Sequence, residues 1–355
     1  MSPVRLVCVF LITIFFMSES WSGREKFIDP LDVAAAKSAF ASKKDLVGIT
    51  RAGDRLVAVG QLGHIVFSDD SGARWDQATV PVSTDLVAVY FPSAAQGWAV
   101  GHDGVVLHSA DRGSSWQQQM SGRQLMDVAK KYYDSHPATN DDDASQRQQF
   151  MAQFDATAPA FTFLDIWFRN DNEGYAIGAF NLIFKTMDGG KNWTPWFDRT
   201  ENPRGYHLYS IQGDASGVYI VGELGLIMRL DESTQRFISL QSPYEGSFFG
   251  VMVRGDHVIA YGLRGNAFVS ANAGKSWQKL NNPSDESITG GAWLSNGDAL
   301  LISQSGELLR SVPSNLSLSR LPQGKGFPSN AAVVTEGDKA LAVVGPVGVE
   351  QLQLN

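Results

Sequence analysis

Carboxylates recur in one setting along the chain, and carboxyl groups can act as catalytic acids or bases. Asp70, Asp111 and Asp188 each lie two residues after a Ser or Thr and five residues before a Trp. A shared position in a repeat indicates a shared structural role, because a catalytic set needs different residues converging on one site. We therefore assign these aspartates to turns.

Two glutamates are the remaining candidates for acid chemistry. Glu223 and Glu307 lie in predicted turns of different repeats, whereas glycoside hydrolases need paired carboxyl groups at a defined separation. A sialidase would also need three arginines around the substrate carboxylate, and the Arg-Ile-Pro phrase typical of those enzymes is absent. No catalytic residue is predicted. A glycoside hydrolase of sialidase type, or a carbohydrate-binding protein, is the alternative to a non-catalytic function.

Metal and thiol chemistry are not indicated. Asp141 to Asp143 could bind a cation or form a solvated turn, and no EF-hand spacing follows them. Cys8 is the only cysteine and lies in the N-terminal apolar stretch. We predict no metal site and no cofactor. None of the histidines has a spacing typical of zinc sites; they are His64, His102, His108, His136, His207 and His257.

A motif of the form S/T-x-D/N-x-G-x-x-W, the Asp box, occurs four times. Its Asp or Asn can accept hydrogen bonds from turn amides, its Gly can take positive φ, and its Trp can bury a large ring between sheets. A structural role is predicted for the Asp or Asn and the Trp of each copy. These are Asp70 and Trp75, Asp111 and Trp116, Asp188 and Trp193, and Asn272 and Trp277.

Seven similar units follow one another. Each contains a four-residue turn that starts at position 60, 101, 178, 222, 262, 303 or 345. A period of about 40 residues is typical of a four-stranded propeller blade. The sequence therefore predicts an all-β fold, a seven-bladed β-propeller with Asp-box repeats over residues 46–355.

Two segments depart from the repeat. Residues at about 121–161 form a helical insertion, predicted as helices from Gln124 to Tyr133 and from Ala144 to Phe154 with an acidic loop between them. The seventh unit ends after its third strand. We expect residues 23–45, with Lys26 to Val33 as the strand, to supply the fourth strand and close the last blade.

Cationic residues share one column of the repeat. Four residues after the last residue of this four-residue turn, the units carry Phe67, His108, Lys185, Arg229, Val269 and Arg310. Repeat symmetry predicts one height and one radius for this column. It is either a row of solvated strand ends or a basic arc for an acidic partner segment, and Arg229 and Arg310 are the partner-binding residues predicted from it.

A second candidate surface lies in units four and five. Aromatic and arginine residues are typical binding anchors; here they cluster near predicted turns and starts of inner strands. The predicted partner-binding residues are Arg204, Tyr206, His207, Glu223, Phe248, Phe249 and Arg264. The two phenylalanines could equally belong to the core.

Composition and the N-terminus indicate export. Arg5 precedes an apolar stretch from Leu6 to Met17, and Ser18, Ser20 and Ser22 offer cleavage sites, as in a signal peptide over residues 1–22. The stretch is shorter than the roughly 20 residues that span a bilayer. The net charge of −8 excludes a basic nucleic-acid-binding surface. We expect an exported protein, periplasmic in a Gram-negative cell or lumenal in a photosynthetic one.

Several phrases between the Asp boxes resemble the photosystem II stability and assembly factor family of propellers, which also has relatives in bacteria without photosystems. They are Leu164 to Phe168, His207 to Tyr209, Gly222 to Gly225, Pro243 to Gly250 and Gly262 to Gly265. The resemblance implies a seven-bladed propeller and a non-catalytic scaffold. Such a scaffold would bind a membrane-protein client during assembly, stabilisation or transport, as a monomer and without a small-molecule substrate. A photosystem and a different membrane complex are both compatible clients.

Overall fold

The computed structural model describes residues 28–157, 161–312, 315–322, 326–334 and 336–354. Within these residues it contains 27 strands and two α-helices. The strands form seven antiparallel sheets in sequence order, six with four strands and the last with three. The predicted seven-bladed propeller with a helical insertion is confirmed. The expected signal peptide, residues 1–22, lies outside the described residues.

The first four blades contain 16 strands, and the helical insertion separates blades two and three. The strands of blades one and two are β1 Leu46–Ala52, β2 Arg55–Gly60, β3 Ile65–Ser68, β4 Asp76–Gln77, β5 Leu86–Tyr90, β6 Gly97–Gly101, β7 Val106–Ser109 and β8 Gln117–Met120. After the helices α1 Gly122–Ser135 and α2 Asp141–Thr157, those of blades three and four are β9 Phe163–Phe168, β10 Gly174–Gly178, β11 Ile183–Thr186, β12 Trp193–Pro195, β13 Leu208–Asp214, β14 Gly217–Gly222, β15 Ile227–Asp231 and β16 Arg236–Ser239.

Blades five to seven complete the ring. Their strands are β17 Phe248–Arg254, β18 His257–Gly262, β19 Ala267–Ser270, β20 Gln278–Lys279, β21 Ile288–Trp293, β22 Ala299–Ser303, β23 Leu308–Ser311, β24 Ser319–Arg320, β25 Ala331–Val334, β26 Ala340–Gly345 and β27 Gly348–Gln353. Short 3-10 turns occur at Pro30–Asp32, Ala41–Lys43, Gln61–Gly63, His102–Gly104, Ala179–Asn181, Phe197–Arg199, Glu223–Gly225, Leu263–Gly265 and Glu336–Asp338. The first strands of adjacent blades contact one another all round, including β1 with β25, so they surround the central axis.

The up-and-down order of the strands gives the ring two different faces. Because neighbouring strands run antiparallel, the turns between second and third strands share one face with the connections between blades. The helical insertion follows β8 directly and lies on that face, which we call the insertion face. The Asp-box turns, between third and fourth strands, lie with the first turns of the blades on the opposite face, which we call the Asp-box face.

Each intact Asp box is a hydrogen-bonded turn, as its sequence predicts. In blade two, the Ser109 hydroxyl accepts the Gly113 amide at 2.9 Å, and Asp111 Oδ1 accepts the Ser115 amide at 2.9 Å. The indole N–H of Trp116 donates to the Gly113 carbonyl at 3.0 Å. Asp70, Asp188 and Asn272 accept the equivalent amides in the other copies. Trp116 and Trp193 are buried, whereas Trp75 and Trp277 are half-buried.

The ring does not close in the way that the sequence predicted. In the described part of the N-terminal segment, no strand joins the three strands of blade seven. Leu31 instead packs in the cluster that joins blades one and two. The segment reaches blade seven later, where Ala41 packs with Leu46 and Val344. Over the described residues, blades one and seven are joined by this packing and by a hydrogen bond from the Asn330 side chain to the Leu46 carbonyl at 3.0 Å. The expected strand over residues 28–33 is wrong, while Lys26 lies outside the described residues.

The acidic run of the insertion is helical, not a loop. Asp141, Asp142 and Asp143 form the first turn of α2, and the Asn140 side chain accepts the Asp143 amide at 2.8 Å. Carboxylates at a helix N-terminus are favoured by the exposed amides and by the helix dipole. Asp143 is buried and pairs with Arg236 at 3.0 Å. Its charge thus helps to attach α2 to blade four.

Candidate partner-binding site

The two predicted partner-binding surfaces lie on opposite faces of the ring. Arg204, Tyr206, His207, Glu223 and Arg264 occupy blade connections or turns of the insertion face. Arg229 and Arg310 stand near the far ends of third strands, close to the Asp-box face. One partner segment could not contact both groups without crossing the ring, so we treat them separately.

The cationic column is not a free basic arc. Arg229 donates to the Ser216 carbonyl at 2.8 Å, and Arg310 forms an ion pair with Asp298. In each case the acceptor belongs to the turn between the first and second strands of the same blade. His108 and Lys185 bond the equivalent turns through Gln96 and Glu173. Each of these side chains connects the third strand of a blade to the first turn of the same blade. The structure therefore does not support Arg229 and Arg310 as partner-binding residues.

Two adjacent phenylalanines have different environments. Phe248 is fully buried, with its ring against Tyr244 and Phe268, so its predicted role in binding is wrong. Phe249 is half-buried, because the pairing of β17 with β18 skips from Phe248 to Gly250 and leaves Phe249 in a bulge. The extra residue of a bulge is unpaired and redirects its side chain. Phe249 therefore remains available for a contact near the axis.

A row of aromatic rings crosses three blades on the insertion face. The Phe180 ring of blade three lies 4.4 Å from the His207 ring, centroid to centroid, and His207 lies 6.0 Å from Tyr209. Tyr209 lies 5.9 Å from Phe249 of blade five. All three contacts are edge-to-face, as aromatic pairs prefer. The row brings together two of the predicted residues, His207 and Phe249, with two that were not predicted.

His207 and Glu223 are held by main-chain groups. His207 Nδ1 accepts the Phe180 amide at 2.9 Å, and the His207 amide donates to Glu223 Oε2 at 3.3 Å. Burial raises the pKa of Tyr209, and the charge of Glu223 raises it further. Glu307, in blade six, forms an ion pair with Arg320 at 2.9 Å. The two glutamates thus lie in different blades and have different partners, which does not favour a catalytic pair.

Arginines lie exposed beside this row. Arg204 donates to the Tyr206 hydroxyl at 2.7 Å, and Asn202 fixes the turn by donating to the Tyr206 carbonyl. Arg264 has φ +55° in the turn of blade five. Its guanidinium has no hydrogen-bond or ion-pair partner among the described residues. Both cations are therefore available to an acidic group of a partner.

Large apolar side chains at the turns between second and third strands were not predicted. Leu62, Phe180 and Leu224 occupy the same turn position in three blades, with 60%, 43% and 56% of their surface exposed. Leu263 and Val347 are exposed in the equivalent turns of blades five and seven. We call these five residues the turn ring. The sequence alone did not mark these residues, because apolar side chains are common in a chain that is 43% hydrophobic.

Asp165 is the carboxyl group with the most unusual environment near the axis. It lies on β9, and its two oxygens accept the amides of Ile166 and Ile211, each at 2.8 Å. Although the side chain retains some exposed surface, the removal of water around it raises its pKa to about 6. It joins the inner strands of blades three and four, so we interpret it as a structural group.

The raised pKa of Asp165 gives stability a pH dependence of known sign. A carboxyl whose pKa is higher in the folded state stabilises the fold at pH values below its pKa in the unfolded state. This contribution is lost as the pH rises through the folded-state pKa of about 6. We expect wild type to lose stability relative to Asp165→Asn between about pH 4 and about pH 7. Urea denaturation at several pH values checks this; parallel curves for the two proteins would contradict it.

Neither a metal centre nor a spanning helix is found in the described ranges. No three His, Cys, Asp or Glu residues are grouped so that they could hold a metal ion. No described helix is long and apolar enough to cross a membrane. The described residues form a ring whose insertion face presents aromatic, apolar and cationic side chains.

Comparison with known proteins agrees with the resemblance in the sequence. Residues 143–313 match the family model described as Photosynthesis system II assembly factor YCF48. This match covers a little under half of the chain, which is similar over these residues to the photosystem II assembly factors. One curated relative is the chloroplastic photosystem II stability/assembly factor HCF136 of Oryza sativa subsp. japonica. It is 34% identical over 71 residues, which cover 19% of this chain and 16% of the relative.

A second curated protein and a solved structure are also similar to this chain. The photosystem II assembly lipoprotein Ycf48 of Synechococcus sp. (strain CC9902) is 24% identical over 119 residues, covering 32% of this chain and 35% of its own length. The solved structure described as YCF48 bound to D1 peptide has a TM-score of 0.62 at 16% identity, over 88% of this chain and 94% of that one. The aligned parts span about a third or less of the curated relatives, and the structural likeness shows the fold alone.

Proposed function

We propose that the insertion face binds an exposed segment of a membrane-protein client during its assembly, stabilisation or transport. The observation that carries this proposal is the turn ring. Its residues are large, apolar and exposed, and they recur at one turn of the repeat in five blades. Exposed apolar patches rimmed by polar groups mark interaction surfaces on soluble proteins. A non-catalytic scaffold that acts as a monomer is the function that fits best.

The fold itself does not require these side chains. Leu62, Phe180 and Leu224 have φ of +57°, +55° and +49°, a region that costs a residue with a side chain roughly 1–2 kcal/mol. Asp103 and Arg264 occupy the same position in other blades with polar side chains. Leu62 and Leu224 thus remain more than half exposed, and an apolar side chain at this position brings no relief of strain. Strained residues that the core does not explain point to function.

The surroundings of the turn ring suit a peptide segment. The aromatic row from Phe180 to Phe249 offers ring faces and edges, and Arg204 and Arg264 offer unpaired charge. Tyr206, His207 and Glu223 lie between them, where a partner main chain could find polar groups. Aromatic and arginine side chains dominate most measured binding hot spots.

The comparisons support a client of this kind. A propeller of the same fold has been solved with a peptide described as D1, and the family description names assembly of photosystem II. The expected signal peptide and the lipoprotein named among the relatives agree with a location outside the cytoplasm, periplasmic or lumenal. Whether the client is a photosystem protein or part of another membrane complex is left to the experiment.

Site-specific photocrosslinking in the source cell tests the proposal. A benzophenone amino acid is placed at Phe180 or Leu224, and as a control at Met187, which is 62% exposed on the Asp-box face. We expect the first two positions to give the same crosslinked membrane protein and Met187 to give none. Equal crosslinking from all three positions, or no membrane protein at all, would count against the insertion face as the site.

The alternative of a glycoside hydrolase has a separate test. Glu223 would have to act as one member of a carboxyl pair, yet its carboxylate is held by the His207 amide. Turnover of sialyl or aryl-glycoside substrates that disappears in Glu223→Gln would establish the enzyme in place of the scaffold.

A further inference from the structure

Two cross-strand positions fill the space between neighbouring blades. They pair in register between the second and third strands, and in three blades an aromatic ring meets a basic side chain. The pairs are Trp98 with His108, Tyr175 with Lys185 and Tyr219 with Arg229. The ring centroids of Trp98 and His108 lie 4.8 Å apart. Lys185 Nζ lies 5.1 Å from the Tyr175 ring centroid, and Arg229 Cζ lies 5.6 Å from the Tyr219 ring centroid. Val57 with Phe67 and Leu300 with Arg310 each keep one large side chain.

Blade five lacks a large side chain at both positions. Ile259 pairs with Val269, so this interface has neither the ring nor the cation that its counterparts have. The Asp box of blade six is also degenerate, with Leu318 at the position of the boxed Trp. Trp277 of blade five packs in the cluster between blades four and five, whereas the smaller Leu318 packs between blades five and six. The smaller side chains at these two places leave space at the interface between blades five and six.

A cavity of about 240 Å³ occupies this interface and opens toward the Asp-box face. Its wall is apolar, and Trp293 contributes a ring. The indole N–H of Trp293 is buried and has no hydrogen-bond partner among the described residues. Residues of both blades form the wall, namely Ile259, Val269, Leu280, Trp293 and Ala299.

Basic side chains line the opening of the cavity. Arg254 and His257 lie there, both exposed. Arg254 donates to the carbonyls of Leu294 at 2.5 Å and Ser295 at 2.9 Å, and makes no ion pair within the described residues. Its position is therefore fixed while its charge is not neutralised, which favours an anionic group at the opening.

We propose that this cavity binds a small bicyclic aromatic molecule that carries an acidic group, of the indole carboxylate class. An apolar cavity of about 150 Å³ already accommodates benzene, so a two-ring system fits the volume here. The ring would take the place that an aromatic or basic side chain fills in the other blades. Its acidic group would meet Arg254 at the opening.

The site is independent of the proposed client surface. It lies between blades five and six at the Asp-box face, whereas the turn ring lies on the insertion face. A ligand here could be bound while a client is held, and failure of one proposal leaves the other intact. No small-molecule substrate is expected from the sequence, and the inference concerns a bound ligand and not a reaction.

Calorimetry and ligand-observed NMR with indole-3-acetate test the site on the mature protein. We expect a Kd on the order of 1 mM or below. Val269→Phe copies Phe67 of blade one and fills the cavity, so it should weaken binding about tenfold or more, a loss of about 1.4 kcal/mol. Met187→Asn changes an exposed residue elsewhere on the same face and should leave binding unchanged.

A second pair of measurements separates the parts of the proposal. Arg254→Gln should remove the preference for indole-3-acetate over neutral indole while neutral indole still binds. Ile259→Phe fills the cavity from the other strand and replaces Val269→Phe if that variant melts early. Equal binding by wild type and a folded filling variant overturns the proposal, as does binding of a Trp-containing peptide without binding of indole-3-acetate.

Discussion

Replacing Trp116 by alanine is expected to lower the free energy of unfolding by about 3–5 kcal/mol, the range for truncating a large buried aromatic residue. Trp116 is 4% exposed, and its ring lies edge-on to Phe91 of the same blade at 5.9 Å. Its indole N–H also closes the Asp-box turn on Gly113 at 3.0 Å. Alanine would leave a cavity between blades one and two and an open turn. Urea denaturation at a constant m-value measures the loss.

Two comparisons make the Trp116 result specific. Asp111→Ala removes the acceptor of the Ser115 amide but no core volume, so we expect a smaller loss of about 1–2 kcal/mol, like that of other turn and helix caps. Trp75→Ala changes the equivalent ring in blade one, which is only half-buried, and should cost less than Trp116→Ala. If the substitutions at Trp116 and Asp111 were both neutral, the box would not hold the blade.

The fold could be predicted because the Asp-box motif is local in the sequence and is repeated from blade to blade. Each Asp box fixes one turn through residues within eight positions of one another, and the next copy repeats it one blade later. Phe237 shows how far the pattern reaches: it stands where blade four would carry the boxed Trp and is fully buried. What the repeat cannot specify is the closing of a ring, because closure depends on contacts between the two ends of the chain.

The candidate site was predicted less well, for identifiable reasons. Phe248 and Phe249 are identical and adjacent, and only the bulge at the start of β17 sends one to the core and one toward the axis. The cationic column has a signal that could have been read. The bonding partners Gln96, Glu173, Ser216 and Asp298 precede the column residues by 12 or 13 positions in every case.

The turn ring shows what conformation adds to composition. Leu62 and Leu224 are unremarkable in a sequence that is 43% hydrophobic. They become informative only when positive φ and high exposure are known together, because each alone is common enough in proteins. The insertion face therefore emerged from the structure, while the sequence had pointed to several of its polar neighbours.

A buried ion pair also attaches the helical insertion to blade three. Arg147 of α2 lies 2.8 Å from Asp198, and their side chains are only 12% and 3% exposed. The Tyr133 hydroxyl of α1 donates to the same carboxylate at 3.0 Å, and the Arg147 guanidinium lies 4.1 Å from the Tyr133 ring centroid. Asp198 belongs to blade three, so the three residues join both helices to the propeller.

Arg147→Met is therefore expected to cost about 3–5 kcal/mol, the range for breaking a buried pair and leaving one charge uncompensated. The methionine keeps much of the volume, so the loss reports the charge. Asp198→Asn in the same chain should restore more than half of it, because a neutral amide needs no counter-charge.

Arg123→Met, which removes the exposed pairs of α1 with Asp29 and Asp32, should change stability little because exposed pairs are screened. Denaturation of wild type, the two single variants and the double variant forms the double-mutant cycle, with Arg123→Met as its control. Hydrogen exchange in α1 and α2 shows whether the loss is local. Additive losses from Arg147→Met and Asp198→Asn would mean that the pair does not attach the insertion, and that Phe150, stacked on Phe197 at 3.3 Å, holds it by packing alone.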